Sequence, residues 1–454
     1  MMNDSSFIIH HSSFIIYHSS LLMTANLYQL YQQYPEIVTD SRKITKDCLF
    51  FALKGETFDG NRFAENALAE GAAYAIVDDP TLPKKDKLFV VPDVLKALQD
   101  LARHHRQQFE IPVIVITGTN GKTTTKELIS NVLAAHYRTH FTKGNLNNHI
   151  GVPLTLLAMP ADTEVAVIET GANHIGEIDF LCQIAAPTHG LITNVGKAHL
   201  EGFGSFEGVK QTKSELYRYL AAHKGTIFLN QDESFLKDLI PTGARTLSYG
   251  MSEKLSAKNP HIETALKEVH PFLTVAFLNE KNRALTVKTH LVGIYNFNNV
   301  QTAIAVGRYF KVPSLKIKAA LEGYVPTNNR SQIVKRGDAT ILLDAYNANP
   351  SSMRGALQNL AQMPFKTKIA VLGDMRELGV DSFSEHEAIF KLAQSFDFQK
   401  VITVGLEFGK VHTASETHFD TTVAARNWFQ NLSLDATTCV LIKGSRGMKL
   451  ETIL

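Results

Sequence analysis

A chain of 454 residues has room for two to four domains, and at 44% hydrophobic and 20% charged it has the make-up of a soluble globular protein. A formal charge of +2 argues against wholesale binding to nucleic acid or to a membrane surface. Cys48, Cys182 and Cys439 lie far apart with no C-x-x-C spacing, which argues against a disulfide framework or a zinc site and fits a reducing cytoplasm. No apolar run reaches the ~18 residues that a membrane-spanning helix needs.

Residues 1–22 contain "SSFIIHHSSFIIYHSS", a repeat with a period of seven from Ser5. Its apolar runs are three residues long and no Lys or Arg precedes them, so no signal peptide is expected. A disordered extension is expected, with Met23 as an alternative translation start. Residues 23–107 alternate short elements: strand "CLFFALKG", helix "NRFAENALAEGA", strand "AAYAIVDD". Residues 108–323 open with strand "IPVIVITG" and helix "KTTTKELISNVLAAH", followed by strands "EVAVIET" and "HGLITNVG". Residues 324–454 repeat the logic with strands "TILLDAY", "KIAVLGD", "KVITVG" and "CVLIKGS". The expected fold is α/β in three domains. A small N-terminal domain precedes a central, mostly parallel sheet of the P-loop ATPase kind, and a Rossmann-like domain lacking G-x-G-x-x-G ends the chain.

The stretch "VIVITGTNGKTTTKE" carries the first chemistry. It fails the pattern G-x-x-x-x-G-K-[ST], because the first Gly would fall at Ile116. Even so, Gly118, Gly121 and Lys122 stand where a strand ends and a helix begins. Glycines let backbone wrap an anion, and a helix N-terminus offers N–H groups to it. Lys122 adds a point charge for terminal phosphates, and Thr123 or Thr124 offers a hydroxyl to Mg²⁺. The loop by itself implies nucleotide binding and no particular reaction.

"GTNGKTTT" resembles the corresponding loop of the Mur ligase family. In the family's order there follow "ETGANHIGEI", "NVGKAHLEGFGS", "GIYNFNN", "LLDAYNANPSSM", "VLGDMRELG" and "LIKGSRGMKLE". Within the family, "SRKITKDCLFFALKGETFDGNRF", "KGNLNNHIGVPLTLL" and "DAYNANPSSM" look like the member that adds D-alanyl-D-alanine to UDP-N-acetylmuramoyl-tripeptide. No D-N-P-R motif, typical of the sister that adds diaminopimelate, is present.

The resemblance implies an ATP-dependent amide ligase of cytoplasmic peptidoglycan synthesis. It would work through an acyl phosphate on two small-molecule substrates, as a monomer, with two Mg²⁺ ions. It also assigns residues. The nucleotide loop would be Gly118, Thr119, Asn120, Gly121, Lys122, Thr123 and Thr124. Glu169, at the end of a strand, and His199, in "KAHLEGFGS", would join Thr123 as metal ligands. In "GVKQTKSELY", spacing does not choose between Lys210 and Lys213. The family pattern K-x-E-[IL] selects Lys213 as the lysine that carries CO₂ as a carbamate and bridges metals. Asn296 and Asn299 would meet the adenine edge, beside Tyr295 where the family usually has His. Arg330 would reach phosphate, and Asp344 would bind ribose or position the linker. The UDP-sugar region would be Ser41, Arg42, Lys54, Gly55 and Asp59. Asn145, Asn147 and Asn148 would hold sugar or γ-phosphate. Asn347, Asn349 and Ser351 are candidates for the dipeptide, and Lys443, Ser445 and Arg446 for the dipeptide or the acceptor peptide. A ligase with another acid or amine, such as glutamate on folate, and a nucleotide-dependent switch are the competing activities.

Overall fold

The computed structural model describes residues 22–83, 85–196, 200–412 and 417–454. The repeat in residues 1–21 and the expected ligand His199 therefore lie outside the described residues. Leu22, counted above with the extension, is the first described residue of a helix over residues 22–33. The chain divides into two compact units. One comprises the chain up to Val113 with His140–Thr170 and Phe180–Pro187; the other comprises Ile114–Thr139, Gly171–Asp179 and Thr188–Leu454.

In the first unit the strands Ile37–Val38, Leu49–Phe51, Tyr74–Val77 and Leu88–Val90 lie side by side in that order, all parallel. Phe50, Ala52, Ala75 and Val77 pack one apolar cluster with Ala64 and Ala67 of helix Ala64–Ala69. Helix Val94–Arg106 begins where the Asp93 side chain accepts from the Lys96 N–H, replacing a bond that a helix start otherwise lacks. It packs on helix Gly151–Leu157, and its Arg106 guanidinium donates to Ala185 O and Ala186 O. These contacts join segments 140–170 and 180–187 to the N-terminal part.

In the second unit seven strands run in the order Ala284–Lys288, Thr274–Leu278, Ile262–Glu268, Arg245–Met251, Thr226–Asn230, His189–Ile192, Val113–Thr117. The last five are parallel to one another. The sheet is thus mostly parallel, as expected, the exception being the antiparallel pairing of the first two strands. Short connections cause it: a crossover to a parallel neighbour needs a dozen or more residues, which the turns after Glu268 and Leu278 do not supply.

The C-terminal sheet has the order Gln332–Arg336, Ala339–Asp344, Thr438–Lys443, Thr367–Gly373, Lys400–Val404, His418–Phe419. Only the first strand is antiparallel. Strand period two sends Leu342, Ala370, Leu372, Cys439 and Leu441 to one face and Ile341, Leu343, Ile369, Val371, Val440 and Ile442 to the other. Helix residues cover both faces, Met353, Leu357 and Ile389 on one and Ala425 and Phe429 on the other. That is why these strands read as unbroken apolar runs. Among the described residues no helix is long and apolar enough to cross a membrane.

Candidate active site

The phosphate loop is shorter than the common pattern because Ile116 is still inside the strand Val113–Thr117, fully buried. The turn needs its two glycines. Gly118 has φ 142° and a Cβ there would lie 2.0 Å from Thr193 Oγ1; Gly121 has φ 79° and its Cβ would lie 2.6 Å from Asn299 Oδ1. Helix Lys122–Ala134 starts at Gly121, so its first turn presents N–H groups that have no helical partner. Lys122 Nζ donates to Gly118 O at 2.7 Å and Thr119 O at 3.1 Å, folded over the loop it serves. Thr123 and Thr124 are buried at the helix start.

Residues that sequence reasoning missed hold the loop's shape. Thr119 N donates to Asn194 O at 3.0 Å and Asn120 N to Asn194 Oδ1 at 2.9 Å. Thr193 Oγ1 and Asn194 Nδ2 both donate to Asn120 O. Thr119 Oγ1 donates to Gly196 O and accepts from Gly196 N. Their position directly after strand His189–Ile192, the neighbour of the loop's own strand, was the available signal.

Asn296 and Asn299 turn inward. Asn296 Nδ2 donates to Val292 O at 2.8 Å, Asn299 Nδ2 donates to Asn296 Oδ1 at 2.8 Å, and Thr125 Oγ1 donates to Asn299 Oδ1 at 2.9 Å. The pair thus braces the helix behind the phosphate loop with its amides. Tyr295, the departure from the family's His, bonds through its hydroxyl to Ser331 Oγ at 2.8 Å.

The two candidate lysines of helix Phe206–Ala222 differ sharply. Lys210 pairs with Glu207 and lies over the rings of Phe206 and Phe235. Lys213 is 2% exposed. Burial, and next the nearby Lys122 charge, push its ammonium down to about 7, against the pull of Glu215 and Glu177. Glu215 accepts from the N–H groups of Gly176 and Asp179.

Arg330 stacks on the Tyr346 ring, 3.7 Å from its centre, and Arg446 reaches the same ring at 5.7 Å while pairing with Glu451. Asp344 and Lys443, assigned above to different substrates, are partners: Lys443 Nζ donates to Asp344 Oδ2 at 2.6 Å and to Asn347 O at 3.0 Å. Ser445 is buried, and its Oγ accepts from Arg376 N. Asn349 and Ser351 meet Asn120 of the phosphate loop: Asn349 Nδ2 donates to Asn120 Oδ1 and Asn120 Nδ2 to Ser351 Oγ, both at 2.8 Å. Asn347 is exposed.

The first unit holds the remaining candidates. Glu169 is 1% exposed at the end of its strand, and its Oε1 accepts from Asn147 Nδ2 at 2.8 Å. Asn148 Oδ1 accepts from Ile150 N and Gly151 N at the start of a helix, while Asn145 is exposed. Ser41 and Arg42 stand in a short 3-10 turn, where the Arg42 guanidinium holds the Asp40 carboxyl well below its usual range, at about 2. Lys54 pairs with Asp78 at 2.8 Å, and the bridge Lys54–Asp59 closes a turn in which Gly55 lies under the exposed Phe58 ring: a Cβ would lie 2.3 Å from the ring, which would have to move aside. Among the described residues no three His, Cys, Asp or Glu side chains gather as a ready metal site. Glu169 and the Thr123 hydroxyl are oxygen donors suited to Mg²⁺, whereas Lys213 suits it only with a carboxylate-like group on its nitrogen.

Comparison with known proteins finds matches over most of the chain. Residues 33–106 match the family model described as Mur ligase family, catalytic domain; residues 116–307 match Mur ligase middle domain; residues 329–446 match Mur ligase, glutamate ligase domain. The chain is 35% identical over 428 residues to the UDP-N-acetylmuramoyl-tripeptide--D-alanyl-D-alanine ligase of Bacillus subtilis, covering 92% of each. It is 34% identical to the Escherichia coli protein of the same name, again over 92% of each. A crystal structure of MurF from Acinetobacter baumannii superposes with a TM-score of 0.82 at 31% identity over 92% of both chains. MurF ligase from Thermotoga maritima in complex with ADP superposes at 0.78 with 27% identity, over 92% of this chain and 96% of that one. Matched by three family models in sequence order and by relatives above 30% identity over nine-tenths of its length, this chain belongs to the Mur ligase family.

Proposed function

We propose that this chain is an ATP-dependent ligase that joins D-alanyl-D-alanine to UDP-N-acetylmuramoyl-tripeptide in cytoplasmic peptidoglycan synthesis, acting as a monomer. The observation that carries this reading is full-length similarity to ligases of that name, with the phosphate loop intact. A carboxylate oxygen of the tripeptide attacks the γ-phosphorus of ATP, and ADP leaves. The amine of D-Ala-D-Ala then attacks the acyl carbon, loses a proton, and phosphate departs.

The chain's own groups address the charge problem of this sequence. Two anions must meet, and each repels the other until donors and cations neutralise them. The N–H groups at the start of helix Lys122–Ala134 and the Lys122 ammonium are suited to cradle the phosphates. Glu169, Thr123, His199 and Lys213 would hold two Mg²⁺ ions, which when bound supply charge neutralisation at the transferring phosphoryl group. Lys213 would first take up CO₂: the neutral amine attacks the carbon and loses a proton, leaving a carbamate anion. Its lowered proton affinity supports this, since about half of the amine is neutral near pH 7. Arg330 and Asp344 would complete the nucleotide site from the C-terminal domain. Asn296 and Asn299 would serve it by fixing the helix behind the loop. Ser41, Arg42, Lys54, Gly55, Asp59 and Asn145 would face the UDP-sugar, and Asn347 and Arg446 the peptide substrates.

The test is ADP release with UDP-N-acetylmuramoyl-tripeptide, with and without D-Ala-D-Ala. Amide product and stoichiometric ADP only in the complete mixture are expected. ATP turnover without amide product, or product with glutamate and a folate instead, overturns the reading.

A further inference from the structure

The side chain of Asn120 does something that its place in a phosphate loop does not require. It donates to Ser351 Oγ at 2.8 Å and accepts from Asn349 Nδ2 at 2.8 Å; Ser351 Oγ in turn donates to Asn349 Oδ1 at 2.9 Å. Three side chains thus close a ring in which each donates once and accepts once. In such a ring every bond polarises the next.

Each member is fixed from a different direction. Asn120 is clamped through its backbone N–H and O by Thr193 and Asn194. Asn349 is the buried N-cap of helix Pro350–Gln362, in a capping box with Ser352. Ser351 lies against Gly196, where a Cβ would come within 3.3 Å of its Oγ. The loop that receives phosphate and the first turn of a C-terminal-domain helix are therefore joined by side chains whose rotamers are held on both sides.

We propose that Asn120 is a positioning residue: its backbone serves the phosphate loop, while its side chain ties that loop to the start of helix Pro350–Gln362. The seating of the C-terminal domain is thereby transmitted to the phosphate-binding backbone. Asn349 and Ser351 act in this tie, which bears on the phosphoryl and amide steps and leaves simple nucleotide binding to the rest of the loop. The inference rests on the ligase reading for its kinetic consequence, and on the ring alone for its energetic one.

The experiment compares the full chain with Asn120→Ala, Ser351→Ala and the double variant in steady-state ligation, ADP binding by calorimetry, and urea unfolding. Each single change should lower kcat about tenfold to thirtyfold, with ADP Kd within about threefold of the parent. The double variant should be no worse than the weaker single, because either change breaks the same ring. Asn349→Asp keeps the capping oxygens but loses the Nδ2 donor; it should reproduce the kcat loss and lower the melting temperature no more than Asn120→Ala does. Losses that multiply, or an ADP Kd weakened more than tenfold with kcat held, overturn the proposal. If the parent forms no amide product, the ligase reading fails separately. Unfolding then still decides the ring: non-additive shifts for the two alanines support it and additive ones refute it.

Discussion

The phosphate loop and the turn Lys54–Asp59 are both expected to meet phosphate groups, yet they are built on different principles. In the loop, each glycine is forced by a neighbour within van der Waals distance, and the backbone is clamped by Thr193 and Asn194. In the turn, Gly55 meets only the exposed Phe58 ring, which can move aside, and the half-exposed Lys54 pairs with the largely buried Asp78; nearby, the exposed Arg42 pairs with Asp40. A clamped backbone tolerates few substitutions and leaves a long sequence signature. Solvated ion pairs are weakly held, can exchange a carboxylate for a ligand phosphate, and leave a short one.

The largest expected effect tests the clamped side. Lys122→Ala removes the loop's only side-chain cation and should lower turnover at least a hundredfold, roughly 3 kcal/mol or more at the transition state, while the melting temperature holds. Turnover within tenfold of the parent would show that helix N–H groups suffice. Lys213→Ala should inactivate as well, and here the rescue is informative. Acetate or formate should partly restore it, and a small alkylamine should not. In the parent, ¹³C-labelled bicarbonate should give a carbamate signal that grows from pH 6 to 8. The sign follows from the pKa near 7: below it the ammonium predominates and cannot attack CO₂, above it the neutral amine can. Rescue by amines alone would make Lys213 an ordinary cation.

Gly118→Ala comes next, since φ 142° and the 2.0 Å approach to Thr193 Oγ1 leave no place for a methyl group. ADP affinity should fall about tenfold and the melting temperature by about a few degrees. Unchanged binding would mean that the loop relaxes freely. Arg330→Ala should raise KM for ATP severalfold with little change in stability, whereas Asp344→Ala should also destabilise, because it strands the buried Lys443 without its carboxylate. Equal melting temperatures for the two would contradict that pairing. The smallest effect belongs to the solvated side: Lys54→Ala should raise KM for the UDP-linked substrate a few fold and leave thermal stability within about a degree. A large stability loss there would erase the distinction between the two regions.

Much of this was legible before any coordinates. The C-terminal strands stand out because both of their faces are covered, so Ile341, Leu342 and Leu343 are apolar in succession. The loop was legible because glycine at positive φ and a strand-to-helix junction need particular residues in a fixed order. Asn349 and Ser351 were legible as site positions, but their bonds to Asn120 were not: a motif marks positions but not which way an amide turns. Asn296 and Asn299 illustrate the same gap, since inward bonding to Val292 and Thr125 is invisible in "GIYNFNN".

The sequence by itself determined the alternation of strands and helices, the short phosphate loop and the family, because each depends on local patterns: period two, glycine at a turn, lysine at a helix start. Spacing could not separate Lys213 from Lys210, three residues apart on one helix; the family pattern pointed to Lys213, and only the tertiary structure gave the physical difference between them. What lowers the proton affinity of Lys213 is desolvation and the charge of Lys122, ninety-one residues earlier in the chain, and desolvation is a property of the packed interior. The pairing of Asp344 with Lys443 and the ring through Asn120 have the same origin, since they join positions that chain distance keeps far apart and folding brings within a hydrogen bond.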